Sequence, residues 1–261
     1  MKPKLVAFDV DGTLAGADHQ VSAYTRQVLA QLPGLGVAGV VITGRAERSA
    51  LGTARDSGLT SPVVCCNGAL VTDPVSGERL WVKAMDPVAA HDIVAAIRRH
   101  GLHPVVWTAD AIYASEESVG SQLIGHLNQV EIQFGPLEAI IDGQPVVKIM
   151  GGGPAEDLDR ACPPLEEEVG LERSMDRLTE VSAPGASKGD AMAFLLQHLG
   201  VDGKDGWGFG DGDNDRGWLA LMGRVLVPAN GYERTLAMAD EVIASNAEDG
   251  VAKYLAQHLL G

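Results

Sequence analysis

Short apolar runs alternate with helical spacing through the first third of the chain. Leu5 to Phe8 is an apolar run ended by Asp9, which predicts a buried strand. Ser22 to Leu32 has helical spacing, with Ser22 as N-cap and Pro33-Gly34 as the stop. Val37 to Ile42 predicts a second buried strand, ended by Thr43-Gly44-Arg45, and a helix follows to about Ser57. Val63 to Cys66 predicts a third strand, ended by Asn67-Gly68. Strands alternating with helices predict a parallel sheet with right-handed crossovers. Ligands of such sheets bind at the carboxyl ends of the strands, where these polar residues fall.

The pattern changes near Arg79. Asp86-Pro87 supplies an N-cap and a first-turn proline for a helix to His100. Short strands are expected at Pro104 to Trp107 and Ile112 to Ala114, and a longer one at Val146 to Met150. Gly151-Gly152-Gly153 reads as a strand-to-helix turn before a helix over Ala155 to Val169, and Leu178 to Ser182 predicts a last strand of this α+β insert. Alternation resumes at Pro184. A helix is expected over Ser187 to Leu199, a glycine-rich strand over Trp207 to Gly210, and an acidic loop over Asp211 to Asp215 leading into a helix to Met222. Strands at Val225 to Val227 and Glu241 to Ala244 and a helix over Asp249 to Leu260 close the chain. The expected fold is α/β: a Rossmann-like, doubly wound parallel sheet from residues 1–82 and 183–261, with residues 83–182 inserted as a second α/β domain.

Four features carry chemistry. Asp9-Val10-Asp11-Gly12-Thr13 places two carboxylates two residues apart at a strand end, so both can face one pocket. One can attack phosphorus while the other handles protons and helps hold a metal. Gly12 permits the sharp turn this needs. Gly210-Asp211-Gly212-Asp213-Asn214-Asp215 offers hard carboxylate oxygens of the kind Mg²⁺ takes. A calcium loop fails there on spacing: with Asp211 first, the sixth and twelfth positions are Arg216 and Met222, where Gly and Glu are required. The Thr43 hydroxyl, with nearby N–H groups, can bind a phosphate oxygen or simply cap a helix. Lys188 opens a helix, where a cation opposes the dipole at a cost of about 0.3–1 kcal/mol, and so hints at an anion to balance.

In this order and at these element ends, the four features resemble the haloacid dehalogenase superfamily of phosphatases, whose pattern is DxDGT, then Thr or Ser, then Lys, then GDxxND. Ile42-Thr43-Gly44-Arg45, Cys66-Asn67-Gly68-Ala69, Ser187-Lys188-Gly189 and Asn246 to Val251 are similar to the Cof-like sugar phosphatases of subclass IIB. That resemblance implies that the insert is a cap. It implies Asp9 as the nucleophile that forms an aspartyl phosphate, and Asp11 as the group that protonates the leaving oxygen and later activates water. Thr43 and Lys188 would hold the phosphoryl oxygens. Asp9, the Asp11 backbone carbonyl and Asp211 would bind Mg²⁺, with Asp215 orienting the metal's ligands. Asn214 would contact phosphate, and Gly44 and Asn67 would line the substrate pocket. The segment Val227-Pro228-Ala229-Asn230-Gly231 departs from the family's Ala-Met-Gly-Asn-Ala-like turn. The implied activity is Mg²⁺-dependent hydrolysis of small phosphate monoesters, most readily sugar phosphates. A phosphomutase on the same fold and a phosphate-binding regulator without catalysis are the alternatives. The intact pair Asp9 and Asp11 speaks against the regulator, since binding alone needs no nucleophile.

Charge narrows the partners. A net charge of -15 repels nucleic acid and anionic membrane at long range, so neither is expected as a partner. Three cysteines without CxxC spacing provide neither a disulfide framework nor a zinc site. The apolar stretch before Asp9 is too short for a signal peptide, and no run approaches the ~18 residues that span a membrane, so a cytoplasmic location is expected. Nothing in the pattern specifies an oligomeric state. Gly34 to Gly39 matches GxGxxG but precedes a strand, whereas a dinucleotide site follows one. The histidines fall on no metal motif, and the tryptophans are assigned to packing, with Trp107 as a candidate contact on the cap.

Overall fold

The structure, a computed structural model, describes residues 2–260 and falls into two compact units. The first comprises the residues up to Trp81 and those from Ser187 onward; the second runs from Val82 to Ala186. Among the described residues no helix is long and apolar enough to cross a membrane.

The first unit is built on five parallel strands in the order Glu241–Ile243, Arg224–Pro228, Gly206–Phe209, Leu5–Phe8, Ala38–Val41. Leu5–Phe8 is buried at every position because it lies mid-sheet with both faces covered, and an unbroken apolar run suits that place. The strand order reverses between Leu5–Phe8 and Gly206–Phe209, so the carboxyl ends of these two strands flank the crevice where such sheets bind ligands. The helix Lys188–Leu199 buries Ala191, Met192, Leu195 and Leu196 in a cluster with Leu5, Ala7, Val40 and Trp218. Each fully buried large apolar side chain there is worth about 1.5–3 kcal/mol. Ser22 caps the helix Ala23–Leu29 by accepting from Thr25 N at 3.0 Å. The helix expected to reach Met222 is one turn, Arg216–Leu219, and the closing helix Gly250–Leu255 widens into a π-helical turn over Ala256–Leu260.

Val63–Cys65 does not extend the parallel sheet as expected. It touches it through a single parallel bridge, Ile42 to Val64, and pairs antiparallel with Leu70–Thr72, beside which Arg79–Val82 completes a three-stranded sheet. The cause is local. Cys66, Asn67 and Gly68 all adopt positive φ, at 50°, 55° and 94°, and reverse the chain at once. Gly68 is obligatory for a second reason: a Cβ there would collide with the Ser187 carbonyl.

The second unit carries a six-stranded mixed sheet in the order Glu172–Met175, Leu178–Ser182, Val146–Gly152, His103–Thr108, Ile112–Ala114, Gln133–Phe134. Residues from the helices Pro87–Arg99, Leu137–Gly143 and Ala155–Val169 share a cluster with Val106 and Ile149 of the sheet. Asp86 caps the first of these, its side chain accepting from Val88 N and Ala89 N. Gly151 and Gly152 are strand, not turn: they pair with Thr179 and Leu178 on one side and with Pro104 and His103 on the other. Their small size serves packing, since a Cβ on Gly152 would overlap Gly120 of the helix Val119–Asn128. Trp107 lies buried under Lys148, whose Nζ sits 3.8 Å from the ring centre.

Candidate active site

Asp9 is the first residue past Leu5–Phe8. Its N–H donates to Phe209 O at 2.8 Å, so the pairing of the two central strands continues into the site. Beneath it the rings of Phe8 and Phe209 stack with centroids 5.5 Å apart. Asp211 stands beyond the end of the neighbouring strand, and Gly12 lets the two loops meet. Gly12 sits at φ 86°, and a Cβ on it would overlap the Asp211 carboxylate. The Thr13 hydroxyl donates to Asp211 Oδ1 at 2.7 Å and fixes that side chain.

Lys188 is the hub. Its side chain is 2 % exposed, and Nζ donates to Asp9 Oδ1 at 2.6 Å and to Asp215 Oδ1 at 2.7 Å. The two carboxylates outweigh the unfavourable helix dipole at this N-terminal position. Asp215 is held on both oxygens: Trp218 Nε1 also donates to Oδ1 at 3.0 Å, while Asp211 N and Gly212 N donate to Oδ2 at 3.1 and 3.0 Å. The acidic loop is thus folded around Asp215, and this is why a 3₁₀ turn forms at Asp213–Asp215. The Thr235 hydroxyl, donating to Gly212 O at 2.9 Å, braces the loop from outside.

Asp9, Asp211 and Asp215 each offer one oxygen, and these oxygens lie within 4.8 Å of one another. Two of these carboxylates bond the Lys188 ammonium and the third, Asp211, lies beside them, which leaves negative charge uncompensated. Burial, followed by the charge of Asp215, pushes the Asp9 carboxyl well above the usual range despite the pull of Lys188. Lys188 loses proton affinity through burial but gains more from Asp215 and Asp9, so it stays charged. Burial, with added repulsion from Asp215, pushes Asp211 from 3.8 to about 6, against the hydrogen bond from Thr13. Hard oxygens and surplus negative charge are the donor set that fits Mg²⁺.

A pH dependence follows. Folded Asp211 keeps its proton to a higher pH than the unfolded chain does, so its contribution to stability is present below pH 4 and is lost as pH rises through about 6. Asp211→Asn removes that loss. In EDTA, the Tm difference between Asp211→Asn and the parent should grow from pH 4 to pH 7; a difference flat across that range would refute the assignment.

The carboxylate of Asp11 is not part of this cluster. It accepts from Arg45 Nε at 2.8 Å on Oδ2 and from Arg45 Nη2 at 2.6 Å on Oδ1, with His19 Nδ1 3.0 Å from Oδ1. Desolvation raises its pKa, but the Arg45 bonds and then His19 outweigh that and hold it below the usual carboxylate range. Thr43 is buried, and its hydroxyl accepts from Arg45 N at 3.2 Å. Gly44 and Asn67 are neighbours, since a Cβ on Gly44 would fall 2.6 Å from Asn67 Oδ1. Asn214 is exposed in the 3₁₀ turn.

Several partners escaped the sequence reading. Thr13 lay inside the quoted motif without a role. Trp218, assigned to packing, also donates to Asp215. Asn230, in the segment that departs from the family turn, donates to Gly12 O at 2.8 Å and accepts from Asn246 N at 2.9 Å. Asn246 in turn donates to Ala15 O at 2.7 Å, so the late segments tie down the loop that follows Asp9. Arg45 and His19 carried no signal beyond their place near the motifs.

The sequence profile of the haloacid dehalogenase-like hydrolases matches residues 6–255. The chain belongs to this family. Among curated members, phosphatase YwpJ of Bacillus subtilis is 28 % identical over 288 residues, covering 98 % of this chain and 100 % of its own. The 5-amino-6-(5-phospho-D-ribitylamino)uracil phosphatase YitU of the same organism is 26 % identical over 265 residues, covering 98 % of each. A haloacid dehalogenase-like hydrolase from Bacteroides thetaiotaomicron superposes with a TM-score of 0.90 over 98 % of this chain and 99 % of that one. At 22 % identity that likeness is one of fold. The parallel core and the separate mixed sheet are therefore the architecture of this hydrolase family.

Proposed function

We propose that this hydrolase is a Mg²⁺-dependent phosphatase of small phosphate monoesters, sugar phosphates foremost, working through an aspartyl phosphate on Asp9. The observation that carries the reading is the buried cluster of Asp9, Asp211 and Asp215 around Lys188, at the ends of the two strands that flank the crevice. A structural role alone would not require three carboxylates gathered where one ammonium bonds two of them. Relatives named as phosphatases support the reaction, and YitU, whose named substrate carries phosphate on a ribityl chain, supports the substrate class.

In the proposed reaction an Asp9 oxygen attacks phosphorus as the bond from phosphorus to the leaving oxygen breaks. Asp11, held ionised by Arg45 in the free protein, gains proton affinity beside the negative charge of the bound ester and gives its proton to that oxygen. Water then attacks the phosphorus of the aspartyl phosphate, Asp11 takes the water's proton, and phosphate leaves Asp9 as a free carboxylate. Lys188 holds Asp9 in place for attack through Oδ1. Thr43 and Lys188 bind phosphoryl oxygens, with Asn214 near the phosphate and Gly44 and Asn67 lining the sugar pocket. Mg²⁺ would be held by Asp9, the Asp11 carbonyl and Asp211, with Asp215 orienting that set; when bound it neutralises charge on the phosphoryl group.

Two measurements test this. Dialysis against EDTA should abolish hydrolysis and added Mg²⁺ should restore it; full activity of the chelated enzyme would refute the metal. With hexose 1-phosphates as substrates, ³¹P spectra should show inorganic phosphate accumulating. Interconversion of the 1- and 6-phosphates with little phosphate released would make the protein a mutase instead.

A further inference from the structure

The loop Cys66–Gly68 is strained and closely held. Cys66 and Asn67 sit at φ 50° and 55°, a left-handed conformation that costs energy in residues with a Cβ. Such a conformation persists only where its surroundings over-determine it. Two of the holding contacts come from backbone. Cys66 N donates to Arg45 O at 2.9 Å, and Asn67 N donates to Thr43 O at 3.2 Å. These tie the loop to the segment after Ala38–Val41. A third contact comes from a side chain on another strand: Trp81 Nε1 donates to Gly68 O at 3.1 Å.

The indole is itself held. Trp81 lies half-buried on Arg79–Val82, and its ring meets that of Phe194 with centroids 5.0 Å apart and planes tilted by 37°. Phe194 belongs to the helix that begins at Lys188, and its ring stacks in turn on His198 at 5.9 Å. Both Trp81 and Phe194 pack against the core cluster that contains Ala191, Leu195 and Trp218. Gly68 also touches the start of this helix directly, since a Cβ on it would fall 2.1 Å from Ser187 O and 2.7 Å from Lys188 N. The loop therefore meets the helix twice, once by backbone packing and once through the indole. The two sides differ in rigidity. The helix is anchored by Ala191, Met192, Leu195 and Leu196, all buried, whereas the loop is a single strained turn. Loss of the bond between them would shift the loop and leave the helix in place. Asn67 stands at the middle of that loop, beside Gly44.

We propose that Trp81 is a positioning residue for substrate selection: by holding the Gly68 carbonyl it fixes Asn67 in the wall of the pocket that receives the alcohol part of the ester. The inference rests on Asn67 lining that pocket, as in the reading above. Trp81 acts through the backbone of Gly68, so its effect passes through Asn67 and not through the groups that hold the phosphoryl oxygens.

Trp81→Phe keeps an aromatic ring against Phe194 and removes the N–H. An interaction made equally in ground state and transition state shows in KM and leaves kcat alone when it is lost. For a hexose 6-phosphate, KM of Trp81→Phe should rise about 10-fold, the scale of one hydrogen bond, with kcat within about 2-fold of the parent. Inorganic phosphate is the probe of the phosphate site alone, and its inhibition constant should stay within about 2-fold. Retained kcat shows in the same assay that the variant is folded. An unchanged KM would overturn the inference. A fall in kcat at constant KM would do so as well, since that is the mark of a variant that is merely less folded. A phosphate inhibition constant that rises in step with KM would also overturn it, because the bond would then serve the phosphate site. Asn67→Ala in the same series tests the reading beneath it. If Asn67→Ala raises KM and Trp81→Phe does not, only the positioning role falls; if Asn67→Ala leaves KM unchanged, the pocket role of Asn67 falls and takes the inference with it. Where both raise KM, the double variant should match Asn67→Ala alone, because Trp81 acts through Asn67; two effects that simply multiply would overturn that link.

Discussion

Asp9→Asn should lower phosphate release by about 10⁴-fold or more while leaving the protein folded, since removal of a covalent nucleophile costs that order in other hydrolases. The exchange is nearly isosteric, and the amide oxygen can still accept from Lys188. It cannot attack phosphorus to form the acyl phosphate. The fold should tolerate the change better than most buried substitutions. Asp9 shares the Lys188 ammonium with Asp215 and lies close to Asp211, and burial together with repulsion already raises its pKa. Loss of its charge relieves that repulsion, so the metal-free variant should melt no lower than the parent. Circular dichroism, Tm in EDTA and phosphate release in Mg²⁺ check the three parts. Acid-quenched parent enzyme should retain labelled phosphate, and the variant none. A folded Asp9→Asn protein with parental turnover would refute the mechanism.

The second large effect belongs to Lys188. Among the described residues its ammonium is the one cation bonded to both Asp9 and Asp215, and both carboxylates are buried. Lys188→Met keeps the length of the side chain and removes the charge. Breaking a buried pair from one side typically costs about 3–5 kcal/mol, because the partner charges are left without compensation. At roughly 2–4 °C per kcal/mol for a protein of this size, the metal-free variant should melt on the order of 10 °C lower. Turnover should be lost as well, since Asp9 is no longer held. Asp215→Asn, added to Lys188→Met, should recover part of the stability and none of the activity. A Lys188→Met protein within about 0.5 kcal/mol of the parent would mean that the carboxylates do not depend on the ammonium.

Much of the framework was legible because it rests on local pattern. Leu5–Phe8 and Pro87–Arg99 announce themselves, the one by an unbroken apolar run and the other by a capping aspartate with proline behind it. What escaped depends on partners distant in sequence. Gly151 and Gly152 look like a turn because glycine favours turns; only Gly120, brought close by folding, explains why two glycines stand in a strand. The helix Val119–Asn128 is interrupted by Gly120 and Gly125 and lacks a clean apolar stripe, and Glu172–Met175 is an exposed edge strand with nothing to bury. The site divides in the same way. Motif order brought forward Asp9, Asp11, Asp211 and Lys188. That Lys188 bonds two carboxylates, that Arg45 grips Asp11, and that Asn230 and Asn246 tie down the loop after Asp9 are facts of juxtaposition.

The strand order of the core also sets a timetable for synthesis. Leu5–Phe8 leaves the ribosome before the other core strands, yet its neighbour on one side, Gly206–Phe209, follows roughly 200 residues later. At about 5–20 residues per second, the wait lasts roughly 10–40 s. Meanwhile the residues from Val82 to Ala186 emerge as one uninterrupted stretch with all of their sheet partners. The nascent chain therefore holds an apolar central strand, paired with Ala38–Val41 on one edge and open on the other, until Gly206–Phe209 follows. Chaperone capture of stalled chains should centre on the amino-terminal segment and cease only after Phe209 has cleared the exit tunnel. A carboxyl-terminal truncation before that point would release a chain with Asp9 present and the crevice never formed.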